Sequence, residues 1–195
     1  MTFKALADSF SEDETLPVRV DVILDWIRAN TDHQDITLHG VTRSNRAFRG
    51  GFRRRSIPKG MMYGGDHDII TEIFYGDDLS EDWKRLVIVK EALHVFDGTA
   101  ECVDTPDKLR LLIPSIISND LRNTFLPAMN DQLGAFRAMV ILIPEAARVK
   151  LAAAVEAGTR TVEEVANYTQ LPTSYVDLWI RYGHQIRNAI LGDHA

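Results

Sequence analysis

The stretch Leu86-Val87-Ile88-Val89-Lys90-Glu91-Ala92-Leu93-His94-Val95-Phe96 reads as a helix enclosed on most sides. With residues advancing about 100° each, Trp83, Leu86, Val87, Lys90, Glu91, Leu93, His94 and Asp97 fall on one half of the circumference. Ile88, Val89, Ala92, Val95 and Phe96 take the other half, so apolar side chains run nearly all the way round. Ser80 suits the N-cap, and Glu81 and Asp82 suit the positive end of the helix dipole. The helix is expected to reach about Phe96 and stop near Gly98.

Lys90, Glu91 and His94 are the ionisable residues inside that apolar run. A lone buried charge is costly, so they must pair, bind something or face a cleft. Lys90 and His94 are four apart, and Glu91 precedes His94 by three, so one helix face brings all three together. An internal salt-bridge cluster and a functional cleft both fit this pattern.

Before this helix, residues 17–31 carry a broad apolar set that includes Val18, Val22, Ile23, Trp26 and Ile27, and they read as a helix. Strand-like stretches follow at Ile36–Val41 and Ile69–Phe74, the latter running into the turn Tyr75-Gly76-Asp77-Asp78. Between them, residues 47–55 suggest a strand or hairpin with the turn-prone Gly50-Gly51 inside it. After it, helices are predicted near 106–118, 127–142, 144–157, 161–169 and 173–190. Pro106, Pro127, Pro144 and Pro172 mark starts, and Gly158 marks a stop. The fold class is α+β: a small mixed or antiparallel sheet, a central helix and a helical C-terminal half. Residues 1–16 are expected to be a flexible lead-in to a single domain at 17–195.

The 195 residues are 45% hydrophobic and 26% charged, enough apolar material for one good core. No stretch approaches a membrane span or a signal peptide, so a cytoplasmic protein with no membrane partner is expected. Cys102 is the only cysteine, which excludes an internal disulfide and any cysteine-built zinc site. The net charge of −6 argues against whole-surface attraction to nucleic acid.

Four pieces in order resemble the ImmA/IrrE family of small metallopeptidase-like proteins, over roughly residues 17–181. They are Asp68–Ser80, a strand running into an acidic turn; the helix Trp83–His94; Asp131–Pro144; and Thr161–Pro172 followed by Thr173–Ile180. The last resembles the family's closing, helix-turn-helix-like pair at about 161–190. The resemblance implies a zincin-like fold. Members that cut peptides use His-Glu-x-x-His, two histidines on one helix face gripping zinc and a glutamate polarising the metal-bound water. Carried over residue by residue, Glu91 takes the base position and His94 the second ligand, and Asp131 falls at or near the third. Lys90 stands where the first histidine belongs. A protonated lysine cannot ligate zinc, so Lys90 is expected to act as a metal-replacing cation among Glu91, His94 and Asp131. No cofactor is then expected, with zinc only if another histidine, His33, His39 or His67, restores the site. His184 and His194 are expected at the surface.

Arg43, Arg46, Arg49, Arg53, Arg54, Arg55 and Lys59 make a basic segment with no acid between Ile36 and Gly65. In a strand, Arg53 and Arg55 share one face and Arg54 takes the other. One reading is an anion-binding ribbon for nucleic acid or an acidic protein, using Arg49, Arg53, Arg54 and Arg55. The other is a solvated edge strand whose charge prevents aggregation. The segment could also meet the acidic stretch Asp8–Glu14. The second closing helix carries Asp177 early and Arg181 as its only basic residue before Arg187, poor for phosphate contact, and Val176, Leu178, Trp179 and Ile180 read as core. The sequence therefore leads to a metallopeptidase-like protein without zinc-dependent proteolysis. It would act by binding a protein partner, with a transcription regulator the kind the family suggests. Active peptidase chemistry with an altered ligand set, and nucleic-acid binding by the basic segment, stand as alternatives.

Overall fold

A computed structural model describes residues 1–42, 49–58, 67–98 and 126–192, apart from the side chains of Pro58, His67, Asp68 and residues 126–132. The helix predicted near 106–118, Cys102, Arg43, Arg46, Lys59 and His194 lie outside the described residues. The described elements run α1 (Phe3–Phe10), α2 (Val20–Asn30), β1 (Asp35–Val41), β2 (Gly50–Pro58), β3 (His67–Gly76) and α3 (Glu81–Ala92). A 3-10 turn (Leu93–Phe96) follows, then α4 (Leu126–Leu142), α5 (Glu145–Glu156), α6 (Val162–Thr169) and α7 (Thr173–Leu191). This is the α+β class, with a small mixed sheet and a helical C-terminal half. No helix among the described residues is long and apolar enough to cross a membrane.

The sheet order is β1-β3-β2. β1 lies parallel to β3 and β2 antiparallel to it, with Thr37 and Arg53 flanking Glu72 from the two sides. Alternation then sorts the side chains. Ile36, Phe52, Thr71 and Ile73 are buried beneath the sheet, where α3 packs, while His39, Arg53 and Arg55 are exposed on the opposite face.

Gly50 and Gly51 do not make a turn; they begin a continuous strand. The reason is a close approach. A Cβ on Gly50 would lie 2.3 Å from Val87 Cγ1 and 3.1 Å from Glu91 Oε1, so only glycine lets the start of β2 sit against α3. The lead-in is also different from the expectation. Residues 3–10 form α1, whose Phe3, Leu6, Ala7 and Phe10 are buried in the main core, because its apolar residues recur at helical spacing.

The central helix reaches as far as expected but changes winding. It is α-helical to Ala92 and continues through the 3-10 turn to Phe96, with Asp97 extended. Ser80 has the extended backbone of an N-cap, yet its side chain makes no capping bond. Behind it, Ala138–Leu142 of α4 and the following Ile143 are all buried. Trp179 of α7 is fully buried and its Nε1 donates to Ile143 O at 3.0 Å, tying the closing helix to the end of α4. Thr161 and Glu164 form a capping box at the start of α6, and Gly158 ends α5 with φ +68°. Leu178, read as core, is instead 40% exposed, with Tyr182 exposed one turn later.

Candidate functional site

The buried polar residues at the end of α3 form a continuous chain. Lys90 Nζ donates to Glu91 Oε1 at 2.9 Å. The other Glu91 oxygen lies 3.6 Å from His94 Nε2, beyond hydrogen-bond reach. On the far side of the ring, His94 Nδ1 meets Asp97 Oδ2 at 2.6 Å, and Asp97 Oδ1 accepts from Arg137 Nη1 of α4 at 2.6 Å. The side chains of Glu91, His94 and Asp97 are 3–7% exposed, so these contacts are made out of water.

Local winding explains how the chain closes. The 3-10 turn carries Asp97 back toward the His94 ring, and Asp97 N donates to His94 O at 3.1 Å. Arg54, from β2 on the underside of the sheet, donates to His94 O and, at 3.3 Å, to Asp97 O. It serves as a cationic cap for the carbonyl end of this helical segment. Phe52, two residues earlier, stacks on His94 with centroids 4.5 Å apart and planes at 9°. Arg137 lies over the Phe3 ring at 4.8 Å, so α1 closes the chain from behind. The side chain of Lys90 runs along α4 at Gly134, where a Cβ would come within 3.1–3.2 Å of Lys90 Cγ and Cε.

Burial pushes the Asp97 carboxyl up, but the His94 hydrogen bond and the Arg137 charge outweigh it and hold Asp97 below the ordinary carboxylate value. Asp97 holds the ring by Nδ1 and so turns Nε2 toward Glu91. A carboxylate behind the imidazole is also how metal-binding histidines are oriented. The other half of such a centre does not fit. Lys90 places an ammonium on the Glu91 carboxylate, where its charge would repel a dication. Among the described residues no three His, Cys, Asp or Glu side chains are grouped to hold a metal ion. Asp131 lies on α4 one turn before Gly134, and its side chain is outside the described residues. His33 is committed elsewhere: its Nδ1 meets Thr71 Oγ1 at 2.7 Å, and burial, with the Arg54 charge, lowers its pKa. His39 is on the outer face of the sheet, His184 is exposed on α7, and the side chain of His67 is outside the described residues.

The described arginines of the basic segment divide three ways. Arg54 is turned under the sheet. Arg49 lies flat over Trp83 of α3, its guanidinium carbon 3.9 Å from the ring centroid. Arg53 and Arg55 converge on Glu72 from the outer face, with Arg53 Nη2 2.7 Å and Arg55 Nε 2.9 Å from the same oxygen, Oε2. Glu72 is 9% exposed beneath them, while the two arginines are 50% and 51% exposed. His39 Nε2 stands 3.8 Å from Glu72 Oε1 and its ring stacks on Phe74, centroids 5.3 Å apart. The acids of the lead-in face other partners: Asp8 meets Lys4, and Glu14 meets Lys150. On α7, Arg181 is paired with Asp177 at 2.7 Å.

Sequence reasoning found Lys90, Glu91 and His94 but assigned no role to Asp97, Arg137, Phe52 or Glu72. Asp97 was within reach of it, three residues past His94. Arg137 was not, since its partner is distant in sequence. Comparisons of the chain with protein-family models, with curated proteins and with solved structures find no match.

Proposed function

We propose that this chain is a catalytically degenerate, metallopeptidase-like protein that acts by binding a protein partner, in transcriptional or stress regulation. One observation carries the reading: the Lys90 ammonium sits 2.9 Å from Glu91, the carboxylate that would act as general base. A cation there occupies the base and repels a dication, so the polar centre is satisfied by side chains. The ImmA/IrrE resemblance supplies the regulatory setting and the kind of partner.

Two measurements test it. Purified protein exposed to zinc and then dialysed is expected to retain well below one equivalent. Stoichiometric zinc that disappears in His94→Ala would overturn the reading in favour of a peptidase with an altered ligand set. In cells, Glu91→Gln is expected to leave transcript levels as in the wild type, while deletion of the gene changes them. A folded Glu91→Gln protein that reproduces the deletion would assign Glu91 a catalytic task.

A further inference from the structure

The strand register sorts the charges of the sheet's outer face by edge. Three rungs cross that face from β1 through β3 to β2: Asp35, Ile70, Arg55; then Thr37, Glu72, Arg53; then His39, Phe74, Gly51. Asp35 is exposed on the β1 edge, and no cation pairs with it among the described residues. The β2 edge carries Arg53 and Arg55, each half exposed. Glu72 lies between the edges and holds both guanidiniums, Arg55 through both of its oxygens. Two acids balance two bases, so these rungs carry no net charge. They carry a direction instead, with a free acid on one edge and a half-exposed base on the other edge of the same rung.

We propose that this face pairs with its own copy on a second chain, about a twofold axis running along β3. Such an axis exchanges the edges. β1 of one protomer lies over β2 of the other, and each rung lies over the same rung of its partner. Asp35 of each protomer then faces Arg55 of the other, and the contact is made twice. Arg55 keeps Glu72 and gains a second carboxylate, which the five donors of a guanidinium permit. Thr37 faces Arg53, so that guanidinium meets a hydroxyl. His39 faces Gly51, where no side chain opposes the ring. On the axis itself Ile70 meets Ile70 and Phe74 meets Phe74, while each Glu72 stays covered by its own arginines. Packed sheets lie about 10 Å apart, a gap that an arginine and an aspartate fill from its two sides. A uniformly charged partner would be repelled on one edge as it is attracted on the other. The second copy matches both edges at once. Three strands about 4.8 Å apart give a contact smaller than the roughly 800 Å² per partner of a standard interface, so the dimer is weak and forms at high protein concentration.

The test is sedimentation velocity of the full-length protein in a concentration series reaching about 1 mM. The wild type is expected to move from monomer toward dimer across the series. Asp35→Arg sets cation against cation at both contacts, and Arg55→Glu sets acid against acid. Each is expected to lower the association constant about tenfold or more. An equimolar mixture of the two variants restores opposite charges at both contacts and is expected to associate at least as strongly as the wild type, a gain that damage to the fold would not produce. Circular dichroism and urea titration establish that each variant is folded. Arg55→Glu leaves Arg53 on Glu72; should it nonetheless fail to fold, Asp35→Arg, at an exposed position, decides the matter by itself. The proposal is overturned by a wild type that stays monomeric throughout, by a dimer that Asp35→Arg leaves intact, or by a mixture of the two folded variants that stays monomeric.

Discussion

Removing the Asp97 carboxylate is the sharpest test of the buried polar chain. Asp97→Ala deprives two groups at once: His94 Nδ1 and Arg137 Nη1, each 2.6 Å from a carboxylate oxygen. The Arg137 side chain is 15% exposed, so water cannot replace the lost anion cheaply. Breaking a buried ion pair from one side costs about 3–5 kcal/mol, and that is the expected loss in urea unfolding. Arg137→Met removes the cation but keeps an unbranched apolar stem against Phe3. The double variant no longer buries an unpaired guanidinium and is expected to recover about 2 kcal/mol relative to the sum of the single changes. The pH dependence has a definite sign. Asp97 is held below its ordinary value of 3.8, so its stabilisation is full above that pH and is lost as pH falls through the folded-state value. The stability gap between wild type and Asp97→Ala should therefore be constant at neutral pH and close below about pH 4. Strict additivity of the two substitutions, within about 0.5 kcal/mol, would show that Asp97 and Arg137 do not act as a unit.

Three further outcomes follow from the same packing. Gly134→Ala is expected to destabilise the wild type by about 1–3 kcal/mol through its clash with Lys90, but to stabilise Lys90→Ala by about 0.5–1 kcal/mol through helix propensity; thermal denaturation in both backgrounds reads the change of sign. Arg54→Met should cost about 1–3 kcal/mol by leaving the His94 and Asp97 carbonyls without their donor, as read by urea titration. His33 is held neutral by burial, so the wild type should lose stability as pH falls below the ordinary histidine value of 6.5 toward the lower folded-state value. In His33→Gln that component of the pH–stability curve is expected to vanish, and a curve unchanged from wild type would refute the assignment.

What the sequence revealed followed from periodicity and from charges in apolar surroundings. The β1 and β3 strands, α2, α3 and the four C-terminal helices carry regular apolar spacing, and the prolines and Gly158 mark ends where the backbone requires them. Lys90, Glu91 and His94 stood out because nothing else between Leu86 and Phe96 ionises. The misreadings have a common physical cause. Gly50-Gly51 was read as turn-prone because glycine bends chains, whereas here Gly50 makes room for Val87 and Glu91. Residues 1–16 looked detached because their acids are conspicuous, while the pattern Phe3, Leu6, Ala7, Phe10 is that of a core helix. Arg137 could not be assigned in advance because its partner is 40 residues away in sequence. Glu72 was equally silent: an acid in a strand acquires meaning only when the register sets Arg53 opposite and Arg55 beside it.

The three consecutive arginines of β2 also encode the alignment of the sheet. Slipping β2 by one residue against β3 would exchange its faces. Two guanidiniums would then point into the core, where Arg54 alone finds the His94 and Asp97 carbonyls, and Glu72 would exchange its two cations for Arg54 alone. An apolar strand of the same length would hold its register through side-chain shape and burial. Here a one-residue misalignment is penalised by charge as well as by shape. A strand with two glycines at its start and an exposed Ile57 near its end gains from such a constraint, because Phe52 is the one buried apolar side chain it contributes among the described residues.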